Sequence, residues 1–364
     1  MKFSLPFLLF LLPLGFVACG DDDNDLPELE IPGSYSTFEN VDYSGQTSRL
    51  NQLSEIKAYI ATANAGAELD NDRLQAMYAN ADGAMFSQEY DKQLRDKTFD
   101  PEVAVFESLF ANIAEQSKSD QAGTPGTAGV VVSDDGEKSY LLNENGVELV
   151  QLIEKGLMGA VFYYQGTSVY LGTDRQNADN ETVEPGRGTD LEHHWDESFG
   201  YFGVPLNFPA DTDGVRFWGD YANDRNSLLG INQKIMSDGF LKGRAAASAD
   251  RNAEREEAIE TVREQWELVS AATAIHYLNS GESNFGDRAR QNHALSEAVA
   301  FIYSLKFNEG RTASISDIDG MLITLAGSST LLGANLDNTT LDDIATVRDQ
   351  LAALYDLENV KSEL

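Results

Sequence analysis

Apolar residues recur at spacings of three and four along most of this chain, and such spacing predicts α-helices that each bury one face. The spacing is clearest in seven segments: 49–63, 103–113, 149–157, 228–247, 254–279, 287–307 and 341–357. Residues 130–142 instead hold two short apolar runs around a Ser-Asp-Asp-Gly turn, which predicts a small β-hairpin. We therefore predict an all-α fold, a helical bundle of two packed subbundles with a small β-hairpin insertion. The subbundles would join near Gly123 and a polar loop over 166–189, and two separate domains are the alternative.

The N-terminus has the features of a secretion signal. Lys2 is followed by an apolar stretch over 5–18, which is shorter than the ~20 residues that a spanning helix needs. The stretch ends at Cys19, the only cysteine, and residues 16–19 (Phe-Val-Ala-Cys) resemble a bacterial lipobox. We predict that 1–18 is a signal peptide and that Cys19 carries a lipid; an ordinary signal peptide with an incidental cysteine is the alternative. A lipidated Cys19 would leave no thiol for disulfides or metal sites.

An acidic segment follows the cysteine. Residues 21–25 read Asp-Asp-Asp-Asn-Asp, and such like charges repel one another and bury no apolar surface. We predict a tether over 19–43 and a helical domain over 44–364. An acidic run after a lipidated cysteine resembles the surface-export signal of some outer-membrane lipoproteins. We therefore expect an outer-membrane lipoprotein at the cell surface, with a periplasm-facing protein as the alternative.

The charge balance limits the partners. The formal charge of −34 and the pI near 4.2 would repel nucleic acid and anionic lipid head groups, so we predict no nucleic-acid partner. Cations would be attracted. The same acidity also serves to keep an exported protein soluble, so charge alone does not predict a metal site.

Histidine is scarce, and all four residues fall on predicted helices. His193 and His194 lie in a helix predicted within 190–203, whose apolar face comprises Leu191, Trp195, Phe199 and Phe202. His194 and Glu197 are three apart, so an imidazole and a carboxylate on one helix face can bind one metal ion, and His193 can join through its spacing of four to Glu197. His276 lies on the apolar face of the helix predicted over 254–279, so we predict it as a further ligand from a different helix. A helical salt bridge and a hydrogen-bonded core histidine are the alternatives.

A second His–Glu pair is a secondary candidate. His293 and Glu297 share a face with Ala300 and Ser304, small residues that would let another helix approach, although the pair can equally be solvated. Three more residues are predicted either as further oxygen ligands or as groups that hydrogen-bond the ligands: Tyr201, Glu267 and Tyr277. The ion at these sites would be iron, zinc or copper.

The run His194-Trp195-Asp196-Glu197 is similar to the helical His-x-x-Glu motif of imelysin-like proteins. The resemblance covers a short motif together with the helical, lipid-anchored character of the chain, and Glu192 stands where that family has glycine. It implies an exported helical protein linked to iron acquisition, a metal-related role for His194 and Glu197, and a proposed peptidase activity. The same aromatic run also resembles a family of bacterial lipoproteins of unknown function.

Enzyme motifs are missing from the sequence. No H-E-x-x-H, no G-x-S-x-G and no phosphate loop occurs, and too few strands are predicted for the α/β fold of metallocarboxypeptidases. Our first hypothesis is therefore a lipoprotein that captures a metal ion for uptake or delivery with a partner protein. A metal-free binding or assembly lipoprotein for glycans, peptides or proteins is the second, and a metallopeptidase is the third.

Overall fold

A computed structural model describes residues 27–364. The predicted signal peptide, Cys19 and the acidic block at 21–25 lie outside the described residues. The predicted all-α class with a small hairpin is confirmed. Within 27–364, no helix is long and apolar enough to cross a membrane.

The chain is built from helices of very different lengths, joined by turns. In chain order they are α1 (Ser44–Ala61), α2 (Asn71–Ala79), α3 (Val103–Gln116), α4 (Leu149–Leu157), α5 (Thr173–Gln176), α6 (Asp190–Phe202), α7 (Trp218–Leu229), α8 (Ile231–Lys234), α9 (Lys242–Ser248), α10 (Asn252–Ser283), α11 (Arg288–Ser304), α12 (Ile315–Ala326) and α13 (Leu341–Leu354). Two π-helices, Met158–Val169 and Ile235–Leu241, continue α4 and α8. The strands β1 (Gly129–Val132) and β2 (Ser139–Leu142) form the antiparallel hairpin, with Gly129 opposite Leu142.

Helices α10 and α11 form the centre of the fold and pack against each other along their length. Helix α4 lies on α11, and α13 lies on α10. The buried apolar side chains form one continuous cluster that includes residues of α1, α6, α10 and α13. The predicted apolar stripes are in this cluster, as Leu53 and Ile56 of α1 and Trp266 of α10 are fully buried. Burial of these stripes is the main driving force that holds the helices together.

Packing begins before α1, inside the range predicted as tether. The Tyr35 ring is fully buried and stacks on Phe199 of α6 with centroids 3.9 Å apart. The Tyr35 hydroxyl donates a hydrogen bond of 2.8 Å to Asp196. Residues 34–43 therefore lie against α6, because their aromatic side chains supply apolar surface that the acidic block lacks.

The predicted loop over 166–189 is wrong at its start, because helix continues to Val169. Gly166, at the start of this range, permits close packing between helices and does not form a turn. A Cβ on Gly166 would come within 2.7 Å of the Trp266 ring, and one on Gly159 within 2.2 Å of the Ser304 hydroxyl. The single helix predicted over 228–247 is also interrupted, at Gly230, which has a φ of 64°.

Candidate metal centre

Helix α6 carries the predicted site and has well-defined ends. Thr189 and Glu192 form a reciprocal capping box at its start, and Gly203 ends it with a φ of 84°. Its predicted apolar face is buried in the core: Leu191, Trp195, Phe199 and Phe202. Because one face is fixed in this way, the polar side chains of α6 have set directions.

The predicted His–Glu pair is in contact. The Nδ1 atom of His194 lies 3.0 Å from Oε2 of Glu197, and Nε2 of His193 lies 3.8 Å from Oε1 of the same carboxylate. Gln46 of α1 donates a hydrogen bond of 3.0 Å to that Oε1 atom. The side chains of His193, His194 and Glu197 are 12%, 8% and 16% exposed, respectively. Glu197 thus lies between two imidazoles at the edge of the core.

These contacts affect the ionisation of Glu197 and His193. Burial opposes ionisation of Glu197, but hydrogen bonds from His194 and Gln46 and the nearby His193 hold its pKa below the usual value. A carboxylate only accepts, so His194 donates from Nδ1, and in the neutral tautomer that carries this proton the lone pair is on Nε2. Burial lowers the pKa of His193, which favours its neutral form, and its Nδ1 atom is buried without a partner among the described residues. Two imidazoles with available nitrogen atoms therefore lie side by side.

The opposite side of α6 is structural. Arg244 of α9 donates from Nε to Asp196, at 3.0 Å, and from Nη1 to Glu192, at 2.7 Å. The second oxygen of Asp196 accepts a hydrogen bond of 3.2 Å from the backbone N–H of Asp42. Burial raises the pKa of Asp196 to about 7 despite Arg244. This ion pair joins the N-terminal segment, α6 and α9, and it presents no ligand to the His194 side.

Of the two predicted tyrosines, Tyr201 lies on α6. The Tyr201 hydroxyl is buried without a hydrogen-bond partner in the described part of the chain. Tyr170 lies between it and His194, with ring centroids 6.1 Å from Tyr201 and 5.8 Å from His194. Burial raises the pKa of Tyr201, so it remains a neutral phenol rather than an anionic ligand.

Two other predicted residues have partners elsewhere. His276 on α10 places Nδ1 2.9 Å from the carbonyl oxygen of Leu364. Glu267 accepts hydrogen bonds from the Tyr355 hydroxyl at 2.6 Å and from the Thr312 backbone N–H at 2.8 and 3.0 Å, and Asn308 donates a further bond of 3.1 Å. Glu267 therefore anchors the loop after α11 and has no oxygen to spare for a metal ion.

The secondary pair on α11 is held by a residue that the sequence did not reveal. His293 places Nδ1 2.6 Å from Oε2 of Glu148, which is fully buried at the start of α4. On the other side, Nε2 of His293 lies 3.6 Å from Oε1 of Glu297, whose side chain is only 6% exposed. The His293 ring also stacks on Tyr140 of β2, at 4.2 Å. Glu297 is therefore buried and not solvated, because α4 packs against this part of α11.

Two charged neighbours in α4 complete this second cluster. Glu154 accepts from Lys155 at 2.9 Å and from Lys57 of α1 at 2.7 Å, and the side chains of Glu154 and Lys155 are at most 4% exposed. A signal for part of this cluster exists in the sequence, since Glu148, Gln151 and Lys155 recur at spacings of three and four within an apolar helix. Nothing in the spacing of these residues indicates which helix they contact.

The structure contains no preformed cage of three ligands. Across 27–364, no three His, Cys, Asp or Glu side chains are grouped so that they could hold one metal ion. Each cluster offers an imidazole and a neighbouring carboxylate. Chemically, such a set can bind a transition-metal ion with few protein ligands or hold a proton between its members.

The fold and these clusters define a helical protein with histidine–carboxylate clusters between its helices. Residues 34–357 match a family described as a domain of unknown function, DUF4856, and the chain belongs to that family. Neither a curated protein nor a solved structure matches the chain. The family description names no activity, so the imelysin-like resemblance stays a prediction.

Proposed function

We propose that this chain is a lipid-anchored envelope protein that binds a transition-metal ion through His194 and Glu197, with His193, for uptake or delivery. The observation that carries the proposal is the 3.0 Å contact between Nδ1 of His194 and Glu197. Metal-binding imidazoles usually donate from their other ring nitrogen to a carboxylate, a carbonyl or water, which orients the ring and raises its basicity. The lone pair on Nε2 is then the metal-binding position.

The surroundings favour a cation. His193 provides a second neutral imidazole beside His194, and imidazole nitrogen suits iron, zinc and copper. The formal charge of −34 raises the local concentration of cations around the protein. Because His276 and Glu267 have other partners, the ligands on this chain would come from α6, and water would fill the remaining positions.

A metal-free binding lipoprotein is the second candidate, and one observation favours it. Glu197 already accepts from both His194 and Gln46, so its carboxylate is hydrogen-bonded without an ion. In that case the bond from Gln46 would hold α1 against α6, and the two histidines would bind no ligand.

The test is metal binding by the purified chain after chelator treatment, with iron(II), zinc and copper(II) each titrated separately. We expect His194→Ala to lose one metal equivalent relative to the native chain, and Glu197→Gln to bind that equivalent about 10- to 100-fold more weakly, because Glu197 positions the imidazole. His276→Ala is the matched control, because it removes a partly buried histidine bonded only to a carbonyl, and it should bind as the native chain does. Equal binding by the native chain and both α6 variants, all folded by circular dichroism, would leave the metal-free candidate as the better account.

The anchoring part of the proposal rests on the sequence at Ala18 and Cys19. Cys19→Ser should move the protein from the membrane fraction to the soluble fraction of the expressing bacterium, and mass spectrometry of the native chain should find acyl chains on residue 19. Retention of Cys19→Ser in membranes would contradict lipid anchoring at this residue.

A further inference from the structure

The cluster between α4 and α11 has an unsatisfied oxygen in its interior. Oε2 of Glu297 is buried and has no hydrogen-bond partner within the described residues, and the side chain is 94% buried by its exposure of 6%. A buried carboxylate oxygen without a donor is costly, so native structures rarely leave one empty. The oxygen therefore indicates that a proton or a cation belongs beside it.

The neighbouring imidazole is held as a metal ligand would be. The contact of 2.6 Å between Nδ1 of His293 and Glu148 fixes one ring nitrogen, and Glu148 is itself fixed by Asn64, which donates a bond of 2.9 Å to its other oxygen. Burial opposes protonation of His293, but the hydrogen bond and charge of Glu148 and the charge of Glu297 raise its pKa overall, so a metal ion would take the place of a proton on Nε2. That nitrogen is the atom nearest Glu297, at 3.6 Å.

This separation suits two ligands of one ion. Zinc bonds of ~2.0–2.2 Å to nitrogen and oxygen in a tetrahedral arrangement place the two ligand atoms about 3.4 Å apart. The observed 3.6 Å between Nε2 of His293 and Oε1 of Glu297 needs an adjustment of only a few tenths of an ångström. Both oxygens of Glu297 can face such an ion, and the His293 side chain, 26% exposed, leaves a route for it to enter.

The charge balance also leaves room for a cation. Three carboxylates of the cluster, those of Glu148, Glu154 and Glu297, face two ammonium groups, those of Lys57 and Lys155. Lys155 bonds Glu154 at 2.9 Å, and its charge also acts on Glu297. Once His293 releases its second proton, the cluster keeps one excess negative charge, which a bound cation offsets.

We infer that His293 and Glu297 form a second binding site for a divalent transition-metal ion of the zinc type, with Glu148 as the residue that positions the imidazole. Two protein residues supply the ligands, and water fills the remaining positions. The site uses different helices from the α6 site, so it does not depend on the proposed function.

The test uses the full chain carrying His194→Ala, which removes the α6 site, and titrates it with Zn²⁺ and with Co²⁺ as a spectroscopic probe. We expect about one equivalent of each ion to bind, with visible Co²⁺ absorption typical of nitrogen and oxygen ligands. Adding Glu297→Gln or His293→Gln should abolish both signals, whereas adding His276→Gln should leave them unchanged. Glu148→Gln should weaken Zn²⁺ binding about 10- to 100-fold while the Co²⁺ spectrum keeps its shape, because the ligands themselves remain.

The competing arrangement is a proton on His293 that bonds both carboxylates. It predicts no Zn²⁺ or Co²⁺ binding by His194→Ala, and that result overturns the inference. Binding that survives both Glu297→Gln and His293→Gln overturns it too. Since Glu297→Gln alone still contains the α6 site, metal binding in that variant reports the proposed function separately, so failure of one site is distinguishable from failure of the other.

Discussion

Helices α6 and α11 each carry a histidine four residues before a glutamate, and the two pairs have different surroundings. His193 and Glu197 are 3.8 Å apart, and His293 and Glu297 are 3.6 Å apart. In α6, Glu197 itself orients a second imidazole and accepts from Gln46. In α11, a separate carboxylate from α4 holds the imidazole, and Glu297 keeps an oxygen without a partner. The same spacing thus gives the glutamate a different role, which depends on what the neighbouring helix supplies.

The largest expected difference between the two regions concerns their buried ion pairs. Arg244 is the only cation bonded to Asp196 in the described chain, whereas Glu154 keeps Lys57 at 2.7 Å when Lys155 is removed. Arg244→Met should therefore lower the free energy of unfolding by about 3–5 kcal/mol, because it leaves a buried carboxylate without its charge partner. Lys155→Met should cost clearly less. Urea unfolding measures both values.

The control for this comparison is Lys138→Met, which removes an exposed lysine whose side chain makes no ion pair within 27–364. It should unfold at the urea concentration of the native chain. Equal losses in Arg244→Met and Lys155→Met would show that Lys57 does not compensate Glu154, and the distinction between the two regions would then be wrong.

A smaller difference is expected at Gly243, which packs against α6, and at Gly281, which packs against α11. A Cβ on Gly243 would lie 2.0 Å from the Trp195 ring of α6, and one on Gly281 would lie 2.6 Å from a methyl group of Leu295 of α11. The Trp195 ring is rigid, fully buried and bonded to Gln176, whereas a leucine can change its rotamer. Gly243→Ala should therefore cost about 1–3 kcal/mol of stability, and Gly281→Ala should cost less.

Gly320 of α12 provides the control for the glycine pair. A Cβ there would meet nothing within 4 Å, so Gly320→Ala should stabilise the protein by about 0.5–1 kcal/mol through helix propensity alone. Thermal unfolding of the three variants ranks their stabilities. A loss in Gly281→Ala as large as that in Gly243→Ala would mean that the α11 region is packed as rigidly as the α6 region.

The sequence predicted the long helices because their apolar stripes are regular, and it predicted the buried face of α6 correctly. It missed α7, which follows Phe217 in a conformation with a φ of 52° and has no side-chain cap. It also missed α12, although Ser314 and Asp317 form a capping box there. The signal for α12 was present, whereas nothing local indicates where α7 begins.

The candidate sites show even more clearly which contacts the sequence does not predict. His194 and Glu197 are three residues apart on one helix, so their contact follows from helix geometry. Glu148 and His293 are separated by 145 residues, and only the packing of α4 on α11 brings them together. Likewise, the spacing placed His276 on an inward face but did not indicate that its partner is the carbonyl of Leu364. Residues on one helix face are predictable from spacing, and contacts between helices are not.

The smallest expected difference lies at the first turns of α6 and α11. The Thr189 hydroxyl accepts from the backbone N–H of Glu192 at 3.2 Å, and Asp287 accepts from that of Arg290 at 3.2 Å. Removing either cap, by Thr189→Ala or Asp287→Ala, should cost about 0.5–2 kcal/mol in urea unfolding. Asp287 also accepts a hydrogen bond of 3.1 Å from the backbone N–H of Asp134, in the turn between β1 and β2.

The two caps should therefore differ in a second measurement, amide hydrogen exchange in the β1–β2 turn. Asp287→Ala should speed exchange of the Asp134 amide, because it removes the acceptor of that hydrogen bond, whereas Thr189→Ala should leave it unchanged. Asp287→Ser is the matched control, since serine still caps α11 but its shorter side chain has a single oxygen and cannot satisfy both donors. It should restore most of the stability without restoring protection of Asp134. If Asp287→Ala left that exchange unchanged, the contact between α11 and the hairpin would be too weak to hold the turn, and the proposed site at His293, whose ring stacks on Tyr140 of β2, would lose one of its supports.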